Sequence, residues 1–247
     1  MKKCIAYSLL LLLELISFAV LGSLFATLTY NRNNIWKNEL TLWKDVAHKS
    51  PLKPRPHVNL GNSYDREGLT IKAIEEHKRV IILAPNYEKG HINLGVDFYN
   101  LGRFDDALAS YKIGLSLNPK NPEVHYNLGL IYHKQGKLKQ ALEEYKIASR
   151  KKFNEPDVHF NLGTLYRQLR QIDESIKEYK IARKLAPEDV TIYYYLGKTY
   201  LEYKKDFNLA LLYLKKGLKV DPNNPLAQEI TNLIKMIERA TKKNDDF

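Results

Sequence analysis

A Leu-Gly pair recurs at a constant interval along most of the chain, and this period constrains the fold more than any other feature. The five pairs begin at Leu60, Leu94, Leu128, Leu162 and Leu196. The third residue after each glycine is aromatic: Tyr64, Phe98, Tyr132, Tyr166 and Tyr200. Leucine and aromatic are thus four residues apart on one helix face, while the glycine between them lets a neighbouring helix approach closely. The pattern predicts a first helix in each unit.

A small residue lies twelve positions after four of these glycines and predicts a second helix packed against the first. These small residues are Ala73, Ala107, Ala141 and Ser175. Three units end in a proline, where a helix stops and the next turn begins. The prolines are Pro85, Pro119 and Pro187. Two helices per unit predict a solenoid, in which each unit packs on its neighbours.

The constant interval and the alternation of small and large residues resemble the tetratricopeptide-repeat (TPR) family over roughly residues 54 to 224. The resemblance implies an all-α superhelical solenoid of about five helix-turn-helix repeats. The repeats are predicted at residues 54–87, 88–121, 122–155, 156–189 and 190–224. The third repeat departs from the pattern, with Phe153 in place of proline. The fifth has one extra residue near Lys204, which predicts a longer loop between its two helices.

The period extends beyond the five repeats. Pro51 precedes Pro85 by the same interval, and Trp43 occupies the position of the second-helix aromatic. Residues 31–53 are therefore predicted to form the helix of a half-repeat that links the repeats to the preceding segment. Residues 225–247 are predicted to form a capping helix and a polar tail, because an apolar stripe runs through a polar sequence. The stripe consists of Leu226, Ile230, Leu233 and Ile237.

Residues 4–28 are almost wholly apolar and are longer than the roughly 20 residues that a helix needs to cross a bilayer. Lys2 and Lys3 precede this stretch, so residues 1–30 are predicted to be a transmembrane anchor or signal anchor. A cleaved signal peptide ending near Gly22 remains the alternative. Lysine and arginine are nearly balanced on the two sides, and the signal-like order of the first residues favours a non-cytoplasmic repeat domain, periplasmic or luminal. The chain is thus expected to be a single-pass membrane protein.

The sequence contains no pattern of catalytic residues: no glycine-rich phosphate loop, no nucleophile-elbow serine and no zinc-protease histidine pair. We therefore expect no enzymatic activity, no cofactor and no metal. The single cysteine, Cys4, excludes an internal disulfide and a cysteine metal cluster. The formal net charge of +11 is spread over the helices, which argues against a nucleic-acid partner.

Four histidines share one position, four residues before the glycine of their repeat. They are His57, His91, His125 and His159. Neighbouring helices pack about 8–10 Å apart, whereas a zinc–nitrogen bond is about 2 Å, so histidines one repeat apart do not easily share an ion. We interpret this position as one for a large, half-buried ring that packs between helices.

In TPR superhelices the first helices line the concave surface, and here an asparagine recurs two residues before the glycine. The asparagines are Asn59, Asn93, Asn127 and Asn161, and Tyr195 takes this place in the fifth repeat. A side-chain amide has both a donor and an acceptor, so such a row can pair with the backbone of an extended peptide. A similar row lines the TPR arm of O-linked N-acetylglucosamine transferases, and the resemblance implies peptide binding by backbone capture. The alternative is that these asparagines only tie helices to their neighbours.

The other residues predicted to line this concave groove are largely apolar or aromatic, with basic residues towards its amino-terminal end. They are Arg55, Val58, Asn62, Arg66, Lys89, Ile92, Val96, Tyr99, Tyr126, Leu130, Lys134, Phe160, Tyr194 and Tyr195. Such a surface suits an extended segment with apolar side chains. The leading hypothesis is a membrane-tethered, non-catalytic scaffold that binds a protein or peptide partner and assembles a complex.

A rival hypothesis comes from the junction between the apolar segment and the repeats. Its motif, Arg32-Asn33-x-x-Trp36 followed by Leu42-Trp43-x-Asp45, resembles the boundary between membrane helices and repeats in polytopic TPR glycosyltransferases. In that family the active site lies in the membrane part, which this sequence lacks. The resemblance implies an accessory or truncated subunit that works with a separately encoded membrane enzyme.

Overall fold

A computed structural model describes the backbone of residues 2–150 and 155–245, while the side chains of residues 2–15, 34–35 and 243–245 lie outside the description. Within that part the chain forms 13 α-helices and one π-helical turn, and no strand. The helices are α1 (Lys2–Ile35), α2 (Glu39–Lys49), α3 (Pro54–Arg66), α4 (Thr70–Leu83), α5 (Glu88–Asn100), α6 (Phe104–Leu117), α7 (Pro122–Lys134), α8 (Leu138–Ser149), α9 (Pro156–Gln168), α10 (Ile172–Leu185), α11 (Val190–Thr199), α12 (Phe207–Val220) and α13 (Ala227–Asp245). The all-α prediction is confirmed. The chain divides into two compact units, Met1–Ser110 and Tyr111–Phe247.

In the first unit, α2 packs on α3, α3 on α4 and α4 on α5. Pro54 opens α3, where a missing backbone N–H costs no intrahelical hydrogen bond. Ala73, the small residue predicted to meet the first helix, is completely buried. The buried apolar side chains of this unit are Ala47, Val58, Leu60, Ala73, Ile74, Val80, Ile92, Leu94, Phe98 and Ala107.

In the second unit, each helix from α7 to α10 packs on the next, and so do the helices from α10 to α13. Ile230, Ile234 and Ile237 of α13 are buried and belong to the core of the last repeat. Leu226 and Leu233 pack against the same core. The apolar stripe of α13 therefore covers the end of the second unit, as expected of a capping helix.

In three repeats the glycine lies against a ring of the second helix, and in the fifth repeat it lies against Leu214, so this contact sets how closely the two helices approach. A Cβ atom added at Gly129 would lie 2.5 Å from the ring of Tyr145, and one added at Gly163 would lie 2.6 Å from the ring of Tyr179. Both tyrosine side chains are completely buried. A residue larger than glycine would push the second helix away, which explains why the Leu-Gly pair recurs.

The turn between the two helices of a repeat contains one residue in the left-handed conformation. Glycine holds this position in three repeats, as Gly68, Gly102 and Gly136, with φ between 71° and 73°. The fourth repeat has Arg170 with φ 62°, and the fifth has Lys205 with φ 55°. A left-handed residue with a Cβ atom costs about 1–2 kcal/mol, so the last two turns are strained relative to the first three.

The fifth repeat takes up its extra residue in a π-helical turn, and the longer loop that the sequence predicted is wrong. Tyr200–Lys204 forms this turn directly after α11, and residues 205–206 alone separate it from α12. The corresponding connection in the fourth repeat is residues 169–171. A π-helical turn adds one residue per hydrogen-bonded ring, so the insertion widens the helix and leaves the loop short.

Two sequence predictions involve residues outside the description. Phe153 belongs to residues 151–154, which are not described. The predicted transmembrane segment, residues 4–28, lies on α1, and the side chains of residues 4–15 are not described. Among the described residues, no helix has an apolar stretch long enough to cross a membrane.

Replacing Lys205 with glycine should raise the free energy of unfolding by about 1 kcal/mol, because glycine adopts a left-handed conformation without a steric clash. Lys205 is exposed, so the substitution removes no buried contact. Lys216→Gly, at an exposed position within α12, is the matched control and should lower the free energy of unfolding by about 1 kcal/mol. Urea denaturation followed by circular dichroism measures both. Equal destabilisation by the two substitutions would contradict the left-handed strain.

Candidate functional site

The four histidines join segments of the repeats, and their rings are buried. His125 Nδ1 lies 2.6 Å from Glu144 Oε2 on the second helix, and His125 Nε2 lies 3.3 Å from the carbonyl oxygen of Pro119 in the preceding turn. Both partners are hydrogen-bond acceptors, so the ring links the second helix to the preceding turn. The equivalent partners are Glu76 and Pro51 for His57, Pro85 for His91 and Glu178 for His159. This position therefore holds a packed ring, as predicted, and the ring is also hydrogen-bonded.

In the first unit, the predicted groove residues lie on α3 and α5, and two of them bond to each other. Asn93 Nδ2 donates to Asn62 Oδ1 at 2.8 Å, so neighbouring first helices are linked through their amides. Asn59 is half-buried, and its side chain makes no hydrogen bond among the described residues. Arg55 and Lys89 are exposed. The structure thus brings Asn62 and Asn93 together and leaves the Asn59 amide available.

In the second unit, the predicted residues form a polar contact and an aromatic cluster. Asn161 Nδ2 donates to the hydroxyl of Tyr126 at 3.1 Å. Phe160 and Tyr195 meet edge to face, with ring centroids 5.2 Å apart. Asn127 is half-buried, and its side chain makes no hydrogen bond among the described residues. One asparagine of this unit therefore ties neighbouring helices and the other does not.

Three residues predicted to line the groove belong instead to the core. Val58, Ile92 and Tyr194 are each buried, so their side chains are not available to a ligand. The Tyr194 hydroxyl donates to Glu229 of α13 and accepts from Lys198 at 2.7 Å, which joins the last repeat to the capping helix. Of the remaining predicted residues, Val96, Tyr99 and Leu130 are half-buried, and Arg66 and Lys134 are exposed.

The sequence reasoning missed a buried polar cluster in the first unit, formed by Asp65 of α3, His77 of α4 and Asp97 of α5. His77 Nδ1 lies 2.7 Å from Asp97 Oδ2, and both side chains are completely buried. Asp65 Oδ1 and Asp97 Oδ1 are also buried, and neither has a hydrogen-bond partner among the described residues. A cluster of this kind is costly to bury unless its polar atoms are paired.

The repeat contained the signal for this cluster. His77 occupies the position that Tyr111 occupies in the next repeat, and Asp97 occupies the position that Ile131 occupies in the next repeat. Both tyrosine and isoleucine are buried apolar residues in the second unit. Aligning the repeats position by position would have shown two polar residues where the fold otherwise requires apolar side chains.

The pKa of Asp65 is raised from 3.8 to about 8, chiefly by burial and also by the hydrogen bond and the negative charge of Asp97. A hydrogen bond from Thr70 lowers this pKa and only partly offsets the rise. The folded chain therefore keeps a proton on the carboxyl pair at neutral pH, where an unfolded aspartate has lost it. The stability that depends on this proton is fully present below the unfolded pKa of 3.8 and is lost progressively as the pH rises from there to the folded pKa of about 8.

Comparison with protein families gives matches over the same repeats. A family model described as TPR repeat matches residues 97–136, 129–169 and 163–202. A second, described as tetratricopeptide repeat, matches residues 190–224. Together the matched residues run from 97 to 224, more than half of the 247-residue chain. A search of curated protein sequences found no match.

Three solved structures of similar fold share 17–20% sequence identity with this chain. YrrB, described as a TPR protein with an unusual peptide-binding site, aligns at 19% identity and a TM-score of 0.58 over 77% of this chain and 97% of its own. A chain of the APC/C hetero-tetramer Cut9–Hcn1 aligns at 20% identity and a TM-score of 0.71, over 83% of this chain and 40% of its own. PilF of Pseudomonas aeruginosa aligns at 17% identity and a TM-score of 0.68, over 78% of this chain and 86% of its own. At these identities the likeness establishes the fold alone.

Asp65→Asn should remove a pH dependence of stability, because the asparagine amide permanently donates the hydrogen that protonated Asp65 donates to Asp97. Between about pH 4 and about pH 8, the free energy of unfolding of the wild type should fall relative to that of the variant, and above about pH 8 the difference should stay constant. Urea denaturation at several pH values measures the difference. Glu67→Gln, two residues away and exposed, should follow the wild type. Parallel profiles for wild type and Asp65→Asn would show that the carboxyl pair holds no proton at neutral pH.

Glu144→Gln should lower the free energy of unfolding by about 1–2 kcal/mol, because it replaces the charged acceptor of His125 with a neutral one. Its neighbour Glu143 provides the control. Glu143 is exposed and lies 3.6 Å from Lys146, so Glu143→Gln should change the free energy by less than about 0.5 kcal/mol. Thermal denaturation at neutral pH compares the two variants, and similar losses from both would mean that the histidine contact stabilises little.

Proposed function

We propose that this chain, which belongs to the tetratricopeptide-repeat family, is a non-catalytic module that binds an extended segment of a partner protein and assembles a complex. The binding residues in this proposal are the half-buried polar and aromatic side chains of the first helices. They are Asn59, Asn62, Asn93 and Tyr99 in the first unit, and Tyr126, Asn127, Phe160, Asn161 and Tyr195 in the second, with Arg55 and Lys89 exposed beside the former.

One observation carries the proposal. Asn59 and Asn127 occupy the same position in their repeats, are half-buried, and have side chains without a hydrogen bond among the described residues. Helix packing does not require an amide there, since Tyr195 fills the position in the fifth repeat. An amide that packing does not use can pair with the backbone N–H and C=O of an extended peptide, whatever its side chains.

The aromatic cluster of the second unit supports the same use. Arg167 lies over the ring of Tyr195 at 5.3 Å, and the Phe160 ring packs on that ring from another side. Half-buried aromatic rings offer contact area to apolar side chains at little cost in conformational entropy. YrrB, a TPR protein with a peptide-binding site, gives an example of this function on the same fold.

The alternative role of the asparagines, as ties between helices, has support at two of the four positions. Asn93 and Asn161 donate to side chains of the preceding repeat, whereas Asn59 and Asn127 do not. A variant of the latter pair therefore separates binding from stability better than a variant of all four.

We expect the double variant Asn59→Ala, Asn127→Ala to bind peptides at least about tenfold more weakly than the wild type, because several backbone hydrogen bonds are lost. The peptides are those selected from a random peptide library displayed on phage with the wild-type protein as bait. Isothermal titration calorimetry measures their affinity, and circular dichroism verifies folding. Asn208→Ala, at an exposed position of the second helix α12, is the control and should bind as the wild type does. Equal affinity of both variants, or no selected peptide, would overturn the proposal.

The proposal includes attachment of the module to a membrane through α1. All described side chains from Ile16 to Asn33 are exposed, and several are large and apolar, such as Phe18 (72% exposed) and Phe25 (64% exposed). Apolar side chains that pack on no other helix favour a lipid environment. The repeats are expected on the non-cytoplasmic side, as the order of the first residues indicates.

Membrane attachment predicts that the chain sediments with membranes and resists extraction by alkaline carbonate. Leu21→Lys, Phe25→Lys should move it to the supernatant, because each buried lysine costs about 2.5–3.5 kcal/mol in a bilayer. Asn31→Lys, Asn33→Lys adds the same charge in the polar end of α1 and should leave the distribution unchanged. Extraction of all three proteins alike would contradict attachment through the apolar segment.

A second candidate function is that of an accessory subunit for a membrane glycosyltransferase, and the junction between α1 and α2 favours it. The motif residues Arg32 and Trp36 stack there, with the guanidinium 4.6 Å from the ring centroid. They line a cavity of about 670 Å³ together with Leu28, Asn31, Leu42, Asp45, Val46 and Lys49. An open cavity with apolar walls can receive a side chain of a partner. Co-purification of a polytopic membrane protein that is lost with Trp36→Ala would favour this function, and unchanged recovery would exclude the junction as its contact.

A further inference from the structure

We infer that Asp65, His77 and Asp97 are positioning residues that fix the amide of Asn93, so that this asparagine presents only its carbonyl oxygen to a bound segment. The inference rests on the proposed function and specifies it. At the second repeat, the partner must supply a hydrogen-bond donor, and in an extended peptide that donor is a backbone N–H group.

The hydrogen-bond network that orients Asn93 begins at the carboxyl groups of Asp65 and Asp97. Asp97 is completely buried, and its Oδ1 atom, like Oδ1 of Asp65, lacks a partner among the described residues. A single proton between the two carboxyl groups satisfies both atoms and removes one of two buried negative charges. Thr70 hydrogen-bonds to Asp65 at the outer end of this pair, and His77 faces Asp97 at the inner end. These are the polar groups that α3, α4 and α5 direct at the pair.

The remaining oxygen of Asp97 then determines the tautomer of His77. Nδ1 of His77 lies 2.7 Å from Asp97 Oδ2, so this nitrogen carries a hydrogen and donates it to the carboxylate. The other ring nitrogen, Nε2, is consequently an acceptor in the neutral ring. Asn93 Nδ2 lies 3.3 Å from Nε2 and supplies the donor.

The Asn93 amide is thereby oriented through both of its hydrogens. One N–H donates to His77 Nε2, and the other donates to Asn62 Oδ1 at 2.8 Å. Rotating the amide by half a turn would place its oxygen against two acceptors, so the network permits one orientation. The Oδ1 atom of Asn93 has no partner among the described residues, and it is the amide atom left for a ligand. Asn59 and Asn127 have no such bonds and keep both donor and acceptor.

A metal ion is the rival occupant, because the three residues bring one ligand atom each within 4.8 Å of one another. Two ligands bound to one zinc ion at about 2.0–2.1 Å are about 3.3 Å apart in tetrahedral geometry. The 2.7 Å between His77 Nδ1 and Asp97 Oδ2 is shorter than this separation and is a normal hydrogen-bond length. The geometry therefore fits a proton network better than an ion.

The cluster differs from the corresponding part of later repeats. Tyr145 and Leu165, which lie two repeats after His77 and Asp97, are both completely buried. The solenoid thus packs with apolar residues at these positions. Gly61 meets the His77 ring as closely as Gly129 meets Tyr145, so His77 also fulfils the packing role of the aromatic ring. Packing alone does not account for the polar atoms, whereas control of the Asn93 amide does.

Nuclear magnetic resonance on the free wild-type protein tests the orientation without a ligand. With histidine and asparagine labelled with ¹⁵N, long-range spectra should show His77 protonated at Nδ1 and not at Nε2, with a coupling across the hydrogen bond to Asn93 Nδ2. The Asn93 side-chain hydrogens should exchange with water at least about tenfold more slowly than those of Asn59, as buried hydrogen bonds do. A hydrogen on Nε2, fast exchange at Asn93, or loss of these signals on stoichiometric binding of Zn²⁺ would overturn the inference.

The double variant His77→Tyr, Asp97→Leu, which copies Tyr145 and Leu165, identifies the cause of the orientation. If the variant folds, exchange at Asn93 should rise towards that of Asn59, while exchange at Asn161 in the second unit stays unchanged. Slow exchange at Asn93 in the folded variant would mean that Asn62 alone fixes the amide, and the inference would fail. If the variant does not fold, the wild-type spectra still test whether the Asn93 amide is oriented by His77.

The consequence for binding is tested with the peptides selected on the wild type. Methylating their backbone nitrogens one at a time should lower the affinity about three- to tenfold, the value of one hydrogen bond, at each nitrogen whose N–H is bound, and one of these positions should face Asn93. Asn93→Ala should lose the sensitivity at that position alone. No methylation effect that depends on Asn93 would overturn the inference. Failure of the proposed function is distinguishable, because Asn59→Ala, Asn127→Ala would then leave peptide affinity unchanged while the Asn93 spectra remain as expected.

Discussion

The contact between a first-helix glycine and a side chain of the second helix, a ring in three of the repeats, determines the spacing of the helices, and other features of these repeats depend on it. At Gly129 and Gly163 the tyrosine ring occupies the space that a Cβ atom would need. The two helices can then lie close enough for a histidine on one to reach a glutamate on the other, 19 residues later. With the packing face of the first helix used in this way, its opposite face carries the asparagines. The candidate binding surface is therefore a result of how the core is packed.

The fold could be predicted from sequence because the repeat places the same residue types in equivalent packing positions five times. Steric constraints limit the residue type at each packing position, so the same residue types recur at a constant interval and reveal the repeat. The π-helical turn at Tyr200–Lys204 could not be predicted in this way. One inserted residue can lengthen a loop or widen a helix, and the choice depends on backbone hydrogen bonds that leave no pattern in residue types. Lys205, which is left-handed without being glycine, shows the same limit.

The candidate site was less predictable, because adjacent residues of a helix differ in direction by about 100°. Asn59 is half-buried while its neighbour Val58 is buried, so a small error in the assumed face moves a residue from the surface to the core. Tyr194 was misplaced for another reason: its hydroxyl is bonded to Glu229 of α13, a helix that continues the solenoid with a different sequence. The buried Asp65–His77–Asp97 cluster was missed because the search was for what the repeats share, and this cluster is a difference between them.

The hydrogen bonds of the histidines also limit how a chain of this kind can change in length. The rings of His57 and His125 each connect a turn six residues before them to a glutamate 19 residues after them, as His57 does with Pro51 and Glu76. An insertion or deletion between those points would separate the partners, whereas duplication of one whole repeat would reproduce every one of them. The fifth repeat agrees with this rule, since it has both the extra residue and Tyr193 in place of the histidine. Duplication of a whole repeat would therefore keep these contacts, and in this chain the extra residue lies in a repeat without the histidine.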